Sequence, residues 1–308
     1  MKQSIHTNHK IASQNKEAKS CTACWALLRV RTVAFCFAKQ GGFMSSLWTE
    51  NIEMPEFPTL EKDIRTQVLI IGGGMAGVLC AYFLQQAGVD YCLLEKDRIC
   101  QGVTGHTTAK ITAQHGLIYE KSLQSMGQER AELFLKANLR AVENYKSLGR
   151  FLDCDMEETD SYLYSVRERR KLESEIQALG SLGFQADYTE DTELPFEVEG
   201  AIRFPRQAQF QPLKFAAGIS KNLRIYEHSE VREMTEYFAL TEKGSVAAEK
   251  IIIATHFPFI NTRGSYYLKL YQNRSYVLAC AYGKNLKGMY LEADNIGLSL
   301  RNYEDYLL

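Results

Sequence analysis

The feature that most constrains this chain is a glycine-rich turn between a short apolar run and a helical stretch. Residues 67–71 read QVLII, which is typical of a strand covered on both faces of a parallel sheet. The turn GGGMAG follows at 72–77, and the helical stretch after it is stopped by Gly88. Residues 89–95 (VDYCLLE) predict a second apolar strand that ends on an acid. This order predicts a βαβ unit that binds a dinucleotide.

Each glycine of the turn has its own part in binding a pyrophosphate. Gly72 permits a tight turn, Gly74 lets the backbone approach the phosphates, and Gly77 lets helix and strand pack closely. The helix N-terminus adds free N–H groups and a partial positive charge. Glu95 can accept hydrogen bonds from ribose hydroxyls, and its charge disfavours a 2′-phosphate and therefore NADP. A glycine turn without a ligand would leave Glu95 unexplained.

Composition restricts the other classes of protein. The 308 residues carry 36 basic and 37 acidic side chains, so no overall field favours nucleic acid or an anionic membrane. That length suffices for one large domain or two smaller ones. The eight cysteines are scattered, and Cys80 and Cys92 fall in predicted buried elements, which favours a reduced, cytoplasmic chain. Cys21 and Cys24 form an isolated CxxC, so we predict no metal site.

Residues 1–63 differ from the rest and are predicted to be an N-terminal extension. Residues 24–38 are apolar, but Arg29 and Arg31 interrupt a stretch already too short to span a bilayer. No clear small-residue cleavage site follows, so a signal peptide is not expected either. In the alternative that Met44 is the natural start, residues 1–43 should be poorly ordered.

Three features favour FAD over NAD as the dinucleotide. The segment GVTGHTT at 102–108, here called the Gly/Thr loop, closely follows Glu95 and can offer backbone amides and hydroxyls to a second stretch of cofactor. Only one GxGxxG is present and no CxxxxC follows it, which argues against a disulfide reductase with separate flavin and nicotinamide domains. Residues after 150 do not continue the βαβ alternation of a simple dehydrogenase. An NAD-linked dehydrogenase stays open as an alternative.

These motifs together resemble one family of flavoproteins. Residues 64–308 are similar to the D-amino-acid-oxidase type of FAD-dependent oxidoreductase, which includes glycine oxidase, sarcosine oxidase and glycerol-3-phosphate dehydrogenase. The stretch GVTGHTTAKITAQHG is most similar to a bacterial subgroup that often carries a C-terminal Rieske iron–sulfur domain. Compared with that family the chain resembles a C-terminally truncated member, and it has no Cys-x-His…Cys-x-x-His pattern. The matching motifs are VLIIGGGMAGVLCAYFLQQAG…LLEK (68–96), the Gly/Thr loop, EHSEV (227–231) and IIIAT (251–255).

The resemblance implies a set of cofactor contacts. The turn at 72–77 would contact the pyrophosphate, the Gly/Thr loop would lie along the pyrophosphate and the flavin edge, and Val231 would pair its backbone with the adenine. Arg301 resembles the arginine that grips a substrate carboxylate, with a salt-bridge role near a strand end as the alternative. The predicted cofactor-binding residues are Gly72, Gly74, Met75, Ala76, Gly77, Glu95, Lys96, Thr104, Gly105, His106, Thr107, Thr108, Val231, Ala254 and Thr255.

The fold class is predicted to be α/β, an FAD/NAD(P)-binding Rossmann-like domain with an inserted α+β substrate domain built on an antiparallel sheet. Residues 128–149 predict an amphipathic helix, and the tyrosine-rich residues 266–282 predict long antiparallel strands. We expect the FAD-binding domain at 64–150 and 200–255, the substrate or cap domain at 151–199 and 256–301, and the start of a truncated C-terminal FAD-binding strand at 302–308.

The function that follows is that of an FAD-dependent oxidoreductase acting on a small amine, amino acid or hydroxy acid. Hydride would pass to flavin N5, and oxygen or another acceptor would take the electrons. No acid–base residue is assigned, although His106 and His256 lie near the motifs; an ordinary hydrogen-bonding histidine is the alternative for each. Tyr266, Tyr267 and Tyr276 either line a substrate cavity or simply pack. The rival hypotheses are a non-catalytic family member with weak or no FAD binding, and the NAD-linked dehydrogenase.

Overall fold

The computed structural model describes residues 46–50, 52–259, 268–270, 272, 275–294 and 297–308. The helices are α1 (Met75–Gln86), α2 (Tyr119–Met126), α3 (Gln128–Gly149), α4 (Arg169–Ser181) and α5 (Pro212–Ser220). The strands are β1 (Ile64–Ile71), β2 (Tyr91–Leu94), β3 (Lys110–Ile111), β4 (Glu157–Ser165), β5 (Asp187–Thr189), β6 (Gly200–Gln209), β7 (Ile225–Tyr226), β8 (Glu233–Met234), β9 (Phe238–Leu240), β10 (Ser245–Ile253), β11 (Cys280–Ala281), β12 (Met289–Glu292), β13 (Ser299–Leu300), β14 (Asn302–Tyr303) and β15 (Tyr306–Leu307).

The glycine turn leaves the middle of a six-stranded sheet, here called sheet A. Its strand order is β7-β2-β1-β10-β9-β8, with the first four strands parallel and β9 and β8 antiparallel. Ile71, the last residue of β1, lies opposite Leu94 of β2 and Ile253 of β10. The carboxyl ends of these three strands therefore meet at one edge, which is where ligands bind in open α/β sheets.

Both faces of sheet A are covered, which explains why its strands are apolar without alternation. On one face Ile70 and Leu93 pack with Val78 of α1 and Phe215 of α5, and all four side chains are 0% exposed. On the other face Leu69, Leu94 and Val246 form a smaller core together with Leu60. Burial of side chains of this size is the main term that stabilises the sheet, at about 1.5–3 kcal/mol each.

A second sheet, sheet B, has the order β13-β12-β4-β6-β3, with β5 also paired to β6. All its pairs are antiparallel except β12 with β4. Helices α2, α3 and α4 cover it through a core that includes Tyr119, Leu135, Leu172, Leu163 and Phe204. A three-stranded sheet, β11-β15-β14, completes the described strands.

This architecture confirms the predicted fold class, a Rossmann-like layer joined to a second domain with a mostly antiparallel sheet. The expected segment limits stay a prediction, and three observations of pairing and burial bear on them. β6, expected at the start of the second FAD-binding segment (200–255), pairs with β4 in sheet B. Residues 302–307 form β14 and β15, which pair with each other and with β11 and do not extend sheet A. The described part of 46–63, expected to be an extension, packs into the fold, since Trp48 is 2% and Leu60 1% exposed.

The tyrosine-rich segment differs from its prediction of long antiparallel strands. Residues 260–267, 271, 273 and 274, which include Tyr266 and Tyr267, lie outside the described residues. Residues 275–279 form no strand, and regular structure resumes at Cys280–Ala281. The Cys21–Cys24 pair and residues 1–43 also lie outside the described part of the chain. No described helix combines the length and apolar character needed to cross a bilayer.

Candidate functional site

Two glycines of the turn are required by packing within the protein. Gly72 has φ of +107°, and a Cβ there would lie 2.8 Å from the carbonyl oxygen of Ala254. A Cβ on Gly77 would lie 1.9 Å from the carbonyl oxygen of Gly72, so helix α1 approaches β1 as closely as it does only because this residue has no side chain. The positive φ and the close approach are the two conditions that only glycine meets without strain.

Gly74 is different, because packing among the described residues does not require a glycine there. Its φ of −72° and ψ of 179° suit any residue. A Cβ added to Gly74 would meet only Thr104 Oγ1 within 4 Å, at 3.8 Å. Open space therefore lies in front of this backbone, at the position where a dinucleotide pyrophosphate approaches a glycine loop. The residues present fit such a group.

The N-terminus of α1 faces the same space. Its N-cap is Gly74, which has no side chain to accept from the first-turn amides. Thr104 of the Gly/Thr loop supplies one acceptor, since Met75 N–H donates to Thr104 Oγ1 at 3.1 Å. The other amides of a first helical turn have no acceptor within the helix, and the helix dipole places partial positive charge there. This end of α1 can bind an anion.

Glu95 lies beside this space at the carboxyl end of β2. One carboxylate oxygen accepts from Gly73 N at 2.6 Å and the other from Asp97 N at 3.0 Å. These two bonds fix the carboxylate and leave lone pairs for a sugar hydroxyl, because each oxygen has more than one acceptor position. Lys96 points away, with its side chain 66% exposed and its ammonium 3.4 Å from Asp97.

The EHSEV segment at 227–231 packs against residues 95–99, here called the Glu95 loop. One of its residues, Glu227, makes contacts that we did not predict. Glu227 is 1% exposed, and its carboxylate accepts from Ile99 N at 2.8 Å and from Phe57 N at 3.2 Å. Ser229 N–H donates to the carbonyl of Glu95 at 2.8 Å. Val231, the residue predicted to contact adenine, is half-buried in the core beneath sheet A. A buried carboxylate that accepts from two backbone amides forms strong hydrogen bonds, so Glu227 fixes the backbone at Ile99 and Phe57.

Ala254 and Thr255 lie on the other side of the turn. Ala254 N–H donates to the carbonyl of Ile71 at 2.8 Å, which continues the pairing of β10 with β1 past the last strand residue. Thr255 Oγ1 donates to the carbonyl of Phe257 at 3.0 Å. The structure therefore brings together the turn at 72–77, Glu95, Thr104 and Ala254.

The Gly/Thr loop connects this site to sheet B. Residues Val103–His106 form a 3-10 turn in which Gly105 is buried, and a Cβ on Gly105 would lie 3.0 Å from the carbonyl oxygen of Cys100. Thr107 Oγ1 accepts from Ala109 N at 3.2 Å, and β3 follows directly. His106 is exposed, with Nδ1 2.8 Å from the carbonyl of Gly102.

Arg301 is buried and its side chain donates to backbone carbonyls. It is 1% exposed, and its Nη1 donates to the carbonyls of Thr108, Ala109 and Phe210 at 2.9, 2.8 and 3.2 Å. Burial lowers its pKa to about 10. Nη1 shares its two N–H groups among these carbonyls and Nε donates to the carbonyl of Asn302, so the contacts give Arg301 a structural role, while its contact with a substrate carboxylate stays a prediction.

A cavity of about 410 Å³ extends from the glycine turn toward sheet B. Met75 and Thr104 line one part of it, and Lys110, His115 and Tyr145 line another. A second cavity, of about 570 Å³, is lined by residues between 190 and 198 and by none of the predicted site residues. The smaller cavity is the one that shares its wall with the candidate site.

Lys110 is a polar residue of this wall that we did not predict. Its ammonium donates to the carbonyl of Tyr290 and to Ser299 Oγ, both at 2.7 Å. Burial, and to a lesser extent the charge of Arg301, lowers its pKa to about 7. His256 and Tyr276 do not line this cavity, and both are exposed to solvent. Lys110 has no sequence signal of its own, because its environment depends on strands about 180 residues away.

The sequence of this chain matches a known protein family over most of its length. The FAD dependent oxidoreductase family, DAO, matches residues 67–305, which is more than half of the chain. The chain belongs to this family of FAD-dependent oxidoreductases, so the predicted resemblance is confirmed.

Individual relatives agree with this assignment. The Bacillus subtilis (strain 168) protein named Rieske 2Fe-2S iron–sulfur protein YhfW is 33% identical over 279 residues, covering 86% of this chain and 54% of that protein. This chain spans about half the length of the curated relatives it matches.

Two solved structures share the fold. L-proline dehydrogenase from P. horikoshii has a TM-score of 0.58 at 16% identity, covering 82% of this chain and 69% of that one. Glycine oxidase from Geobacillus kaustophilus has a TM-score of 0.55 at 18% identity, covering 79% and 70%. At these identities the likeness concerns the fold alone.

Proposed function

We propose that this chain holds FAD at the N-terminus of α1 and forms the cofactor-binding part of an enzyme that oxidises a small amine, amino acid or hydroxy acid. The observation that carries the proposal is the open space at Gly74. Its neighbours Gly72 and Gly77 are packed against backbone, whereas a Cβ on Gly74 would have contact only with Thr104. A ligand that needs close approach to this backbone accounts for a glycine that the protein's own packing does not need.

Each part of the site has a role in that proposal. The amides at the start of α1 would bind the pyrophosphate, and Glu95 would accept from ribose hydroxyls. The other half of the cofactor would lie along the Gly/Thr loop, toward the cavity that Lys110 lines. Bound FAD would supply the acceptor for a hydride, while the protein orients the substrate and excludes water. No catalytic residue is assigned.

Amino acids are the substrate class that we favour. Two fold neighbours are named glycine oxidase and L-proline dehydrogenase, and both names specify amino acids. The electron acceptor would be oxygen or another oxidant. We also propose a reducing, cytoplasmic compartment, which the buried thiols of Cys92, Cys100 and Cys154 support.

The test uses the purified 308-residue chain. We expect a flavin absorbance band after purification or after adding FAD, and thermal stabilisation by FAD but not by NADH. Under anaerobic conditions, at least one compound from a panel of amines, amino acids and hydroxy acids should bleach the flavin.

Three outcomes would contradict parts of the proposal. A colourless protein that FAD does not stabilise would overturn the assignment of the cofactor. Stabilisation by NADH instead would support an NAD-linked dehydrogenase. Tight FAD binding without bleaching by any compound would support a non-catalytic chain.

A further inference from the structure

Trp48 is buried beneath the Gly/Thr loop, and no sequence motif indicates it. Its side chain is 2% exposed, and the indole Nε1 donates to the carbonyl of Thr107 at 2.6 Å. Its own carbonyl accepts from Gln211 Nε2 at 2.9 Å. Gln211 in turn caps α5 by accepting from Leu213 N and Lys214 N. The backbone of Trp48 is therefore bonded to the N-cap residue of α5, while its indole is bonded to the Gly/Thr loop.

The face of the indole contacts a second group that binds the same segment. The guanidinium carbon of Arg301 lies 5.4 Å from the centre of the Trp48 ring, and Tyr303 packs edge-on at 4.7 Å. Arg301 donates to the carbonyls of Thr108 and Ala109. The three consecutive carbonyls at 107–109 are thus held by Trp48 and by the arginine that stacks on it.

The segment 107–109 lies between Thr104, which contacts the start of α1, and β3, which belongs to sheet B. Glu95 marks the ribose side of the site, and Thr104 marks the start of α1 through its bond with Met75. From Thr104 the chain continues into β3, which belongs to sheet B. Because binding sites lie preferentially between domains, the second half of a dinucleotide would follow this path.

The segment 46–60, here called the strap, also contacts the adenosine side. Leu60 N–H donates to Ser229 Oγ at 3.0 Å, and Phe57 N–H donates to the carboxylate of Glu227. Arg98 Nη2 donates to the carbonyls of Met54 and Pro55, both at 3.3 Å. The described residues of the strap therefore contact Glu227 and Ser229 at one end and the Gly/Thr loop at the other.

We propose that Trp48 is a positioning residue for the flavin half of the cofactor site. Its indole N–H holds the Thr107 carbonyl, and its ring supports Arg301, so that 107–109 keeps the conformation that receives the part of FAD beyond the pyrophosphate. This inference rests on the proposed function for the identity of the ligand. The adenosine half, which depends on Glu95 and the glycine turn, should not need Trp48.

The binding test compares FAD with ADP on the full chain carrying Trp48→Phe. Phenylalanine keeps a buried aromatic ring and removes the N–H donor. We expect the affinity for FAD to fall about tenfold, the loss expected for one buried hydrogen bond, while the affinity for ADP stays unchanged. Tyr91→Phe is the matched control, since it removes the hydroxyl that donates to Gln85 and accepts from Arg224 N at the far end of β2, and it should change neither affinity.

Hydrogen exchange tests the loop itself and does not require FAD. In Trp48→Phe the amides of residues 104–111 should exchange faster, while those of β2 and α5 stay as in the wild type. Unchanged exchange in the loop would overturn the inference. Equal loss of FAD and ADP affinity, or faster exchange throughout the chain, would show a merely structural residue and overturn it as well. A wild type that binds no FAD would contradict the proposed function, and the exchange data would still decide the role of Trp48.

Discussion

At the residue scale, the glycine turn shows that one residue type can be required for two different reasons. Gly72 and Gly77 are needed by the protein, because a side chain would meet backbone atoms at 2.8 and 1.9 Å. Gly74 is needed only if something outside the protein approaches it. The sequence motif predicts a separate reason for each glycine, and the structure adds the atoms concerned, which are the carbonyl of Ala254 for Gly72 and the carbonyl of Gly72 for Gly77.

Gly77→Ala should destabilise the fold. Its Cβ would overlap the carbonyl oxygen of Gly72, so α1 must move away from β1, at a cost of about 1–3 kcal/mol. Urea unfolding measures the change. Gly180→Ala in α4 is the control, since its Cβ would have nothing within 4 Å and alanine is the better helix former. Equal stability of Gly77→Ala and wild type would show that the close approach is described wrongly.

Lys110 predicts a pH dependence of stability. Its pKa is about 7 in the folded chain against the usual 10.5. Between these values the unfolded state binds more protons, so the contribution of Lys110 to stability rises as the pH rises from about 7 to about 10.5. The free energy of unfolding of wild type minus that of Lys110→Met should therefore be larger at about pH 9 than at about pH 6. A difference that does not change with pH would mean that Lys110 titrates normally.

At the scale of the element, local pattern predicts which segments are helices and strands, and long-range pairing decides where they belong. The apolar periodicity at 128–149 predicts α3 with the bounds that the structure has. The sequence did not predict that β6 joins sheet B, because a strand's partner depends on contacts such as Leu163 with Ile202 across some 40 residues. The same holds for Trp48, whose loop contact joins residues 59 apart.

One such long-range contact at the element scale is the cap of α2. Both carboxylate oxygens of Glu175 in α4 accept from the first amides of α2, Tyr119 N and Glu120 N, each at 2.8 Å. Burial raises the pKa of Glu175, against the effect of these amides. The cap couples two helices that cover sheet B.

Glu175→Gln should lower the free energy of unfolding by about 1–3 kcal/mol at neutral pH, because the new amide group can accept at only one of its two positions. Chemical denaturation measures this. Glu173→Gln in the same helix is the control, since Glu173 forms only an exposed pair with Arg169 and should change stability by less than about 0.5 kcal/mol. Equal effects of the two variants would argue against the cap.

At the scale of the whole molecule, the Gly/Thr loop joins the Rossmann-like layer to sheet B, and Arg301 holds that junction from the C-terminal side. Its backbone exchanges two hydrogen bonds with Leu308, and its side chain binds the carbonyls at the end of the loop. Sequence resemblance predicts a substrate contact for Arg301, with a salt-bridge role as the alternative, but it does not report which acceptors surround the guanidinium.

Arg301→Lys separates the two roles. The structural role predicts a loss of about 2–3 kcal/mol in stability, because a lysine cannot reproduce a guanidinium that donates to three carbonyls. Thermal and urea unfolding measure the loss. A variant of wild-type stability whose only defect is a higher KM for a carboxylate substrate would restore the role predicted from the sequence.

The proposed function places the pyrophosphate of FAD in the space at Gly74. The direct measurement is a titration of wild type and Gly74→Ala with FAD, followed by flavin fluorescence, alongside urea unfolding of both. We predict saturable binding by wild type, an affinity at least about tenfold weaker for Gly74→Ala, and a loss of at most about 1 kcal/mol in its unfolding free energy, because alanine is a poorer N-cap than glycine. No binding by wild type, or equal binding by the two proteins, would contradict the claim.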